Sequence, residues 1–135
     1  MIRVWLPEEL RARILHEAGI ASPRECCGLV EGVRDDDGFR VSAIHPARNL
    51  AMDANRFEID PLDHLAASKA SRSRGHEIIG CYHSHPAGRA EPSARDVAGA
   101  DQENFLWLIA ACGELAAFVY FCDGFAGADC RISSG

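Results

Sequence analysis

The stretch Glu77-Ile78-Ile79-Gly80-Cys81-Tyr82-His83-Ser84-His85-Pro86, continued through Ala87 to Asp96, decides how this chain is read. Glu77 to Tyr82 has few solvated positions and reads as a strand. Successive strand side chains alternate faces, so His83 and His85 point the same way, roughly 7 Å apart along the backbone. Imidazoles at that spacing can lean together onto one metal ion. Pro86 has no N–H to give to a ladder and ends the pairing, which leaves the histidines at a strand's end. Ala87 to Pro92, with Gly88 and Pro92 in it, reads as a loop. Ser93 then takes the N-cap position of a short helix, with Asp96 at N3. A capping box alone accounts for the serine and the aspartate. The same first turn also aims Asp96 back at the strand end. Two imidazoles and a carboxylate are ligand types that hold a catalytic zinc with one position open.

Outward from this stretch the chain alternates helices and strands. Leu6, Leu10, Ile14 and Ala18 recur every four residues and predict a helix, with Pro7 in its first turn, Glu8 and Glu9 at its positive end and Gly19 at its stop. Cys26 to Val33 predicts a buried strand, Asp35 to Gly38 a turn, and Phe39 to His45 the returning strand. Pro46 to Asn55 is a loop, and Arg56 to Ile59 a short strand. Asp60 caps a second helix with Pro61 in its first turn, ending among Arg72, Arg74 and Gly75. After the histidine strand and the helix at Ser93 come Phe105 to Cys112, Leu115 to Cys122 and Ala128 to Ser133. The expected fold class is α/β, a mixed sheet flanked by helices, in one domain spanning residues 1–135. Trp5 and Trp107 are expected in the core. His16, His45, His64 and His76 are expected to be partly exposed and without a role.

Composition narrows the function. The formal charge of −6 and the absence of a Lys/Arg cluster argue against a nucleic-acid partner. No run approaches a transmembrane helix, so no membrane association is expected. The N-terminus lacks a signal-peptide plan, because Glu8 and Glu9 follow almost at once. None of the six cysteines forms C-x-x-C, and most lie in apolar runs, where a free thiol packs as a small hydrophobe. A reduced, cytoplasmic setting is the expectation. Cys81 shares a strand face with the two histidines and is a candidate extra ligand. Cys26 and Cys27 adjoin Glu25 and are placed to line a cleft.

The pattern H-S-H-P-x6-S-x-x-D, at His83, Ser84, His85, Pro86, Ser93 and Asp96, together with the upstream Glu25 in Pro23-Arg24-Glu25-Cys26-Cys27-Gly28-Leu29-Val30, resembles the JAMM, or MPN+, zinc metalloprotease signature. No signature position departs from it, and the resemblance runs from Glu25 to about Phe121. It implies that His83, His85 and Asp96 bind one zinc per chain with water in the fourth position. It also implies that Glu25, just before a glycine-containing strand, contacts that water, and that Ser93 stabilises the oxyanion. Glu25 taken alone is a solvated glutamate at a strand entrance. With the downstream pattern, the resemblance implies that it is the general base. The resemblance further implies a fold similar in outline to cytidine deaminase. The deaminase chemistry is excluded, since neither H-x-E nor P-C-x-x-C is present. Asn49 and Asn55 bracket a loop that the resemblance puts beside the cleft, with no chemistry assigned to either.

The compact relatives of this type act on ubiquitin-like sulfur carrier proteins, and the chain is too short for the insertions with which larger relatives hold ubiquitin. The expected partner is therefore such a carrier, cut after its Gly-Gly tail, with the tail lying extended beside an edge strand. Two alternatives stand beside this: a metal-dependent amidase for a small molecule or cell-wall peptide, and a catalytically silent MPN scaffold, which would normally have lost ligands that this chain keeps.

Overall fold

The computed structural model describes residues 1–134. Its architecture follows from two apolar faces on one sheet. The elements run β1 (Arg3–Pro7), α1 (Glu8–Ala21), β2 (Cys27–Asp35), β3 (Gly38–Ala47), α2 (Pro61–Ser73), β4 (Glu77–Ser84), α3 (Ala94–Gly99), β5 (Phe105–Ala111), β6 (Glu114–Phe121) and β7 (Gly124–Ser133). The strands close into a mixed barrel in the order β1-β3-β2-β4-β5-β6-β7. β1 is parallel to both β3 and β7, and β4 is parallel to β5; the remaining pairs are antiparallel. This is the expected mixed α/β sheet with helices against it, with the addition that the sheet closes.

Closure comes from β1. The helix stripe predicted from Leu6 overlaps it: Val4 and Leu6 are fully buried strand residues, and the helical stripe begins at Leu10 and Ile14. Five residues of period two merge into a period of four at Leu6, so the sequence shows one element where the fold has two. Helix α1 also runs past Gly19 to Ala21. Trp5, expected inside, is only partly buried, with the guanidinium of Arg40 4.1 Å above its ring. The predicted strand Arg56 to Ile59 is absent; that segment makes a single bridge, Asn49 to Ile59. Strand β3 continues through Pro46 to Ala47, and β7 begins at Gly124.

Alternation along β5 divides the interior. Leu106, Leu108 and Ala110 join Leu10, Ile14, Val30 and Ile44 in the larger core, against α1. Phe105 and Trp107 face the other way and pack with Leu29, Cys81 and Ala67 of α2. Tyr82 points into the first core, and its hydroxyl donates to Glu17 of α1. Its ring crosses directly over Gly28, where an added Cβ would lie 2.3 Å from a ring atom, so β2 needs glycine there. Tyr82 facing α1 leaves Cys81 and His83 on the α2 side. Asp60 caps α2 by accepting from the Leu62 N–H at 2.9 Å, as its position predicts. No helix among the described residues is long and apolar enough to cross a membrane.

Candidate active site

The end of β4 and the first turn of α3 meet as their sequences predict. His83, near the end of β4, and His85, just past it, are both buried, and their Nε2 atoms lie 2.9 Å apart. Asp96 Oδ2 is 3.1 Å from each of those nitrogens. The capping box is present as well. The Ser93 hydroxyl oxygen accepts from the Asp96 N–H, and Asp96 Oδ2 accepts from the Ser93 N–H at 2.9 Å. The two readings of Ser-x-x-Asp are thus one structure, because the cap holds the carboxylate where it faces the imidazoles. Ser93 keeps its own O–H for another acceptor.

Glu25 joins from the residue pair before β2. It is 6 % exposed, and one donor atom from each of Glu25, His83 and His85 lies within 4.8 Å of the others. The position follows from register, since Cys27 pairs with His83 across the β2–β4 ladder. Ser84 secures it. The Ser84 hydroxyl accepts from the Cys26 N–H at 2.9 Å, and the Ser84 N–H donates to the Cys26 carbonyl. The structure therefore brings together all five residues singled out from sequence: Glu25, His83, His85, Ser93 and Asp96.

The arrangement suits a tetrahedral dication. Zinc bonds of 2.0–2.1 Å would hold ligand atoms about 3.3 Å apart, close to the separations of the two Nε2 atoms and Asp96 Oδ2. The tautomer is also right for His85. Its Nδ1 lies 2.8 Å from the Arg89 carbonyl, which can only accept, so Nδ1 carries the proton and Nε2 keeps a lone pair. His83 differs: its Nδ1 is buried with no hydrogen-bond partner. Packing orients that ring instead. Phe57 stacks on it at 4.3 Å and 21°, and Trp107 meets it edge-on at 5.5 Å.

Electrostatics separate the two carboxylates. Burial pushes the Glu25 carboxyl up to about 7, and nearby Asp96 adds to this against the opposing pull of His85 and Arg95. Burial would raise Asp96 too, but its close contacts with His83 and His85 and the hydrogen bond from the Ser93 N–H overcome it and hold that carboxyl well below its usual range. Burial lowers His83 and keeps it neutral. For His85, burial is outweighed by Asp96, the Arg89 carbonyl and Glu25, so its value rises. In the metal-free protein the surroundings thus favour the ionised form of Asp96 beside the imidazoles and push Glu25 the opposite way. Cys81 is buried behind this cluster and packs with Leu29, Ala67 and Trp107, and burial raises its thiol well above the ordinary value.

Two cavities flank the cluster. One, of about 720 Å³, runs between α2, α3 and the 49–59 segment over Leu29, Phe57, Cys81 and Trp107, with Asp96 and Arg95 at its margin. The other, of about 480 Å³, holds Glu25, His85, Ser93 and Asn55, and Arg95 borders it as well. Strand β4 has partners on both sides, β2 and β5, so the histidine strand offers no edge for the extended peptide expected from sequence.

Sequence reasoning missed a second polar cluster. Glu31, fully buried in β2, takes Arg74 Nε at 2.9 Å and Nη2 at 2.7 Å, His76 Nδ1 at 2.7 Å and His45 Nε2 at 2.8 Å. Arg74 leads the causes that hold the Glu31 carboxyl far below its usual value. A charge inside the apolar run Cys26 to Val33 was the available signal, since an inward carboxylate requires partners.

A family profile described as prokaryotic homologs of the JAB domain matches residues 7–121. The desampylase of Haloferax volcanii is 36% identical over 112 residues, which is 79% of this chain and 79% of that protein. A probable TtuB-protein conjugate cleaving protease of Thermus thermophilus is 40% identical over 93 residues, covering 68% of this chain and 57% of that protein. A protein of Desulfitobacterium hafniense, solved in solution, has a TM-score of 0.88 at 31% identity and covers 98% of this chain and 94% of that one.

Proposed function

The chain belongs to the family of prokaryotic homologs of the JAB domain, and from that membership we propose that it is a zinc-dependent peptidase or isopeptidase. Its substrate is a conjugate or extension of a ubiquitin-like sulfur carrier, cut after the Gly-Gly tail. The observation that carries this reading is the meeting of Glu25 with His83, His85 and Asp96 at the end of β4. The similarity to a desampylase and to a probable conjugate-cleaving protease supports the substrate class. The proposal takes residues 1–135 as a single cytoplasmic catalytic domain.

His83, His85 and Asp96 would hold one zinc. Bound there, zinc supplies acidification of a water and polarisation of the scissile carbonyl. Glu25 moves the proton. Its carboxylate takes one from the attacking water and passes it to the nitrogen of the leaving amine. The Ser93 hydroxyl donates to the carbonyl oxygen as negative charge gathers on it. Phe57 and Trp107 keep water from the buried side of His83, and the Arg89 carbonyl fixes the His85 ring. A tail of glycines would suit a narrow path past His83, His85 and Asp96, because it brings no side chains to accommodate.

The test offers the protein ubiquitin-like carriers with short C-terminal extensions and weighs the products. Cleavage directly after Gly-Gly is expected, and replacing the final glycine with valine should abolish it. A zinc-loaded protein that spares every Gly-Gly carrier yet hydrolyses small amides or cell-wall peptides would replace this reading with the amidase one.

A further inference from the structure

Asn49 stands outside the cluster just described, yet it touches that cluster's backbone. Its amide nitrogen donates to the Glu25 carbonyl and to the Arg56 carbonyl, both at 3.0 Å. Its amide oxygen accepts from the Ala51 and Glu58 N–H groups, both at 2.9 Å. Two carbonyls face one end and two N–H groups face the other, so the orientation of the amide is fixed by its partners. All four hydrogen-bonding positions of the side chain are filled. Three of these bonds close the neck of the 48–60 segment, where Leu50 also donates to the Glu58 carbonyl and Asp60 to the Arg48 carbonyl. The fourth leaves the segment and ties it to Glu25. Arg24 makes a parallel tie to the Ala51 carbonyl. The segment so anchored carries Phe57, whose ring lies flat on His83.

We propose that Asn49 is a positioning residue that couples the strand entrance bearing Glu25 to the segment bearing Phe57, and so sets the carboxylate against the two histidines. The proposal rests on the reading of Glu25 as the base. The physical reason is leverage. Glu25 precedes β2 and lies outside the ladder, so its backbone is restrained by Ser84 through Cys26 on one side and by Asn49 on the other. Without the second restraint the carboxylate can drift, and misplacement by about 1 Å costs on the order of 10²-fold in rate.

The test uses two variants of the full chain, Asn49→Asp and Asn49→Ala. The first is nearly isosteric and turns the donor end into an oxygen facing two carbonyls; the second removes all four bonds without adding charge. In the zinc-loaded protein, amide hydrogen exchange should quicken at least ~10-fold both in residues 48–60 and in residues 24–27, with zinc content unchanged and the amides of β5 to β7 unaffected. On a Gly-Gly carrier with a short extension, kcat should fall ~10- to 100-fold and KM should stay within ~3-fold. In a Glu25→Gln background the Asn49 substitutions should cost no further activity, because Asn49 acts through Glu25. Exchange that quickens only within 48–60, or losses that multiply with Glu25→Gln, would overturn the proposal. Wild-type turnover by Glu25→Gln alone would instead overturn the reading of Glu25, and the exchange result would still decide whether Asn49 couples the two segments.

Discussion

Glu25→Gln separates proton transfer from both folding and metal binding. The side chain is 6 % exposed, and burial is the largest of the causes that push its carboxyl up to about 7. Glutamine keeps the size and polarity and removes the proton acceptor. General-base assistance is worth about 10²- to 10⁴-fold. The buried, pre-positioned carboxylate next to His83 and His85 argues for the middle of that range, so turnover should fall on the order of 10³-fold, about 4 kcal/mol of barrier. Stability should move the other way in the metal-free protein. A raised carboxyl means that the folded state binds the proton more tightly than the unfolded chain. The stability of the wild-type protein therefore declines as pH rises from about 4.5 to about 7, and the full penalty stands above about 7. Glutamine removes that decline, so the variant should melt at the same temperature or higher at neutral pH. Zinc content should be unchanged. The assays are steady-state cleavage of a Gly-Gly carrier extension, metal analysis, and thermal melts of the metal-free protein from pH 4.5 to pH 8. Turnover within ~3-fold of wild type, where at least 10²-fold loss is expected, would refute the assignment of the base, and a melt lowered by several degrees would refute the account of its burial.

Three further outcomes follow from named contacts. Ser93→Ala removes both a helix cap and an O–H donor; stability should drop by about 1 kcal/mol, and turnover should drop on the order of 10²-fold, whereas a stability loss with full activity would leave Ser93 as a cap alone. His83→Ala, His85→Ala and Asp96→Ala should each lose zinc in metal analysis, and full occupancy in a double histidine variant would sink the metal assignment. Glu31→Ala strands Arg74, His45 and His76 and should cost about 3 kcal/mol at pH 7, discounted for the half-exposed arginine. The depressed Glu31 carboxyl contributes stability above about pH 4.5 and loses it as pH falls below that value, so the gap between wild type and variant should close in acid denaturation curves below pH 4.5.

What the sequence disclosed and what it hid follow a physical line. The ends of β4 and α3 were legible because their determinants are local: a period of two, a proline that stops a ladder, and a serine that caps a helix three residues before its aspartate. The fold class was legible because strands and helices alternate with clear turn residues. β1 was hidden because its reward is remote. Arg3–Pro7 is held by residues 38–40 and 129–133 in parallel pairing, and nothing in five residues announces partners so far along the chain. Arg56 to Ile59 looked like a strand from its side chains, but its backbone is committed elsewhere, to the Asn49 amide. Glu31 collects partners from β3 and from the end of α2, a convergence visible only once the sheet is closed. The Phe57 stack on His83 likewise depends on how the 48–60 segment folds back, and an asparagine in a loop gives no warning that its amide is the tie. Trp5 was misplaced for a simpler reason: on a strand it alternates with Val4 and Leu6, and those two take the inside.

The central claim is tested most directly by titrating zinc into the metal-free protein while following cleavage of a ubiquitin-like carrier extended beyond its Gly-Gly tail. The account predicts no cleavage without metal, a linear rise with added zinc, and a plateau at one equivalent per chain. Cleavage that persists in the chelated protein, or none at any zinc level with every Gly-Gly carrier offered, would contradict it.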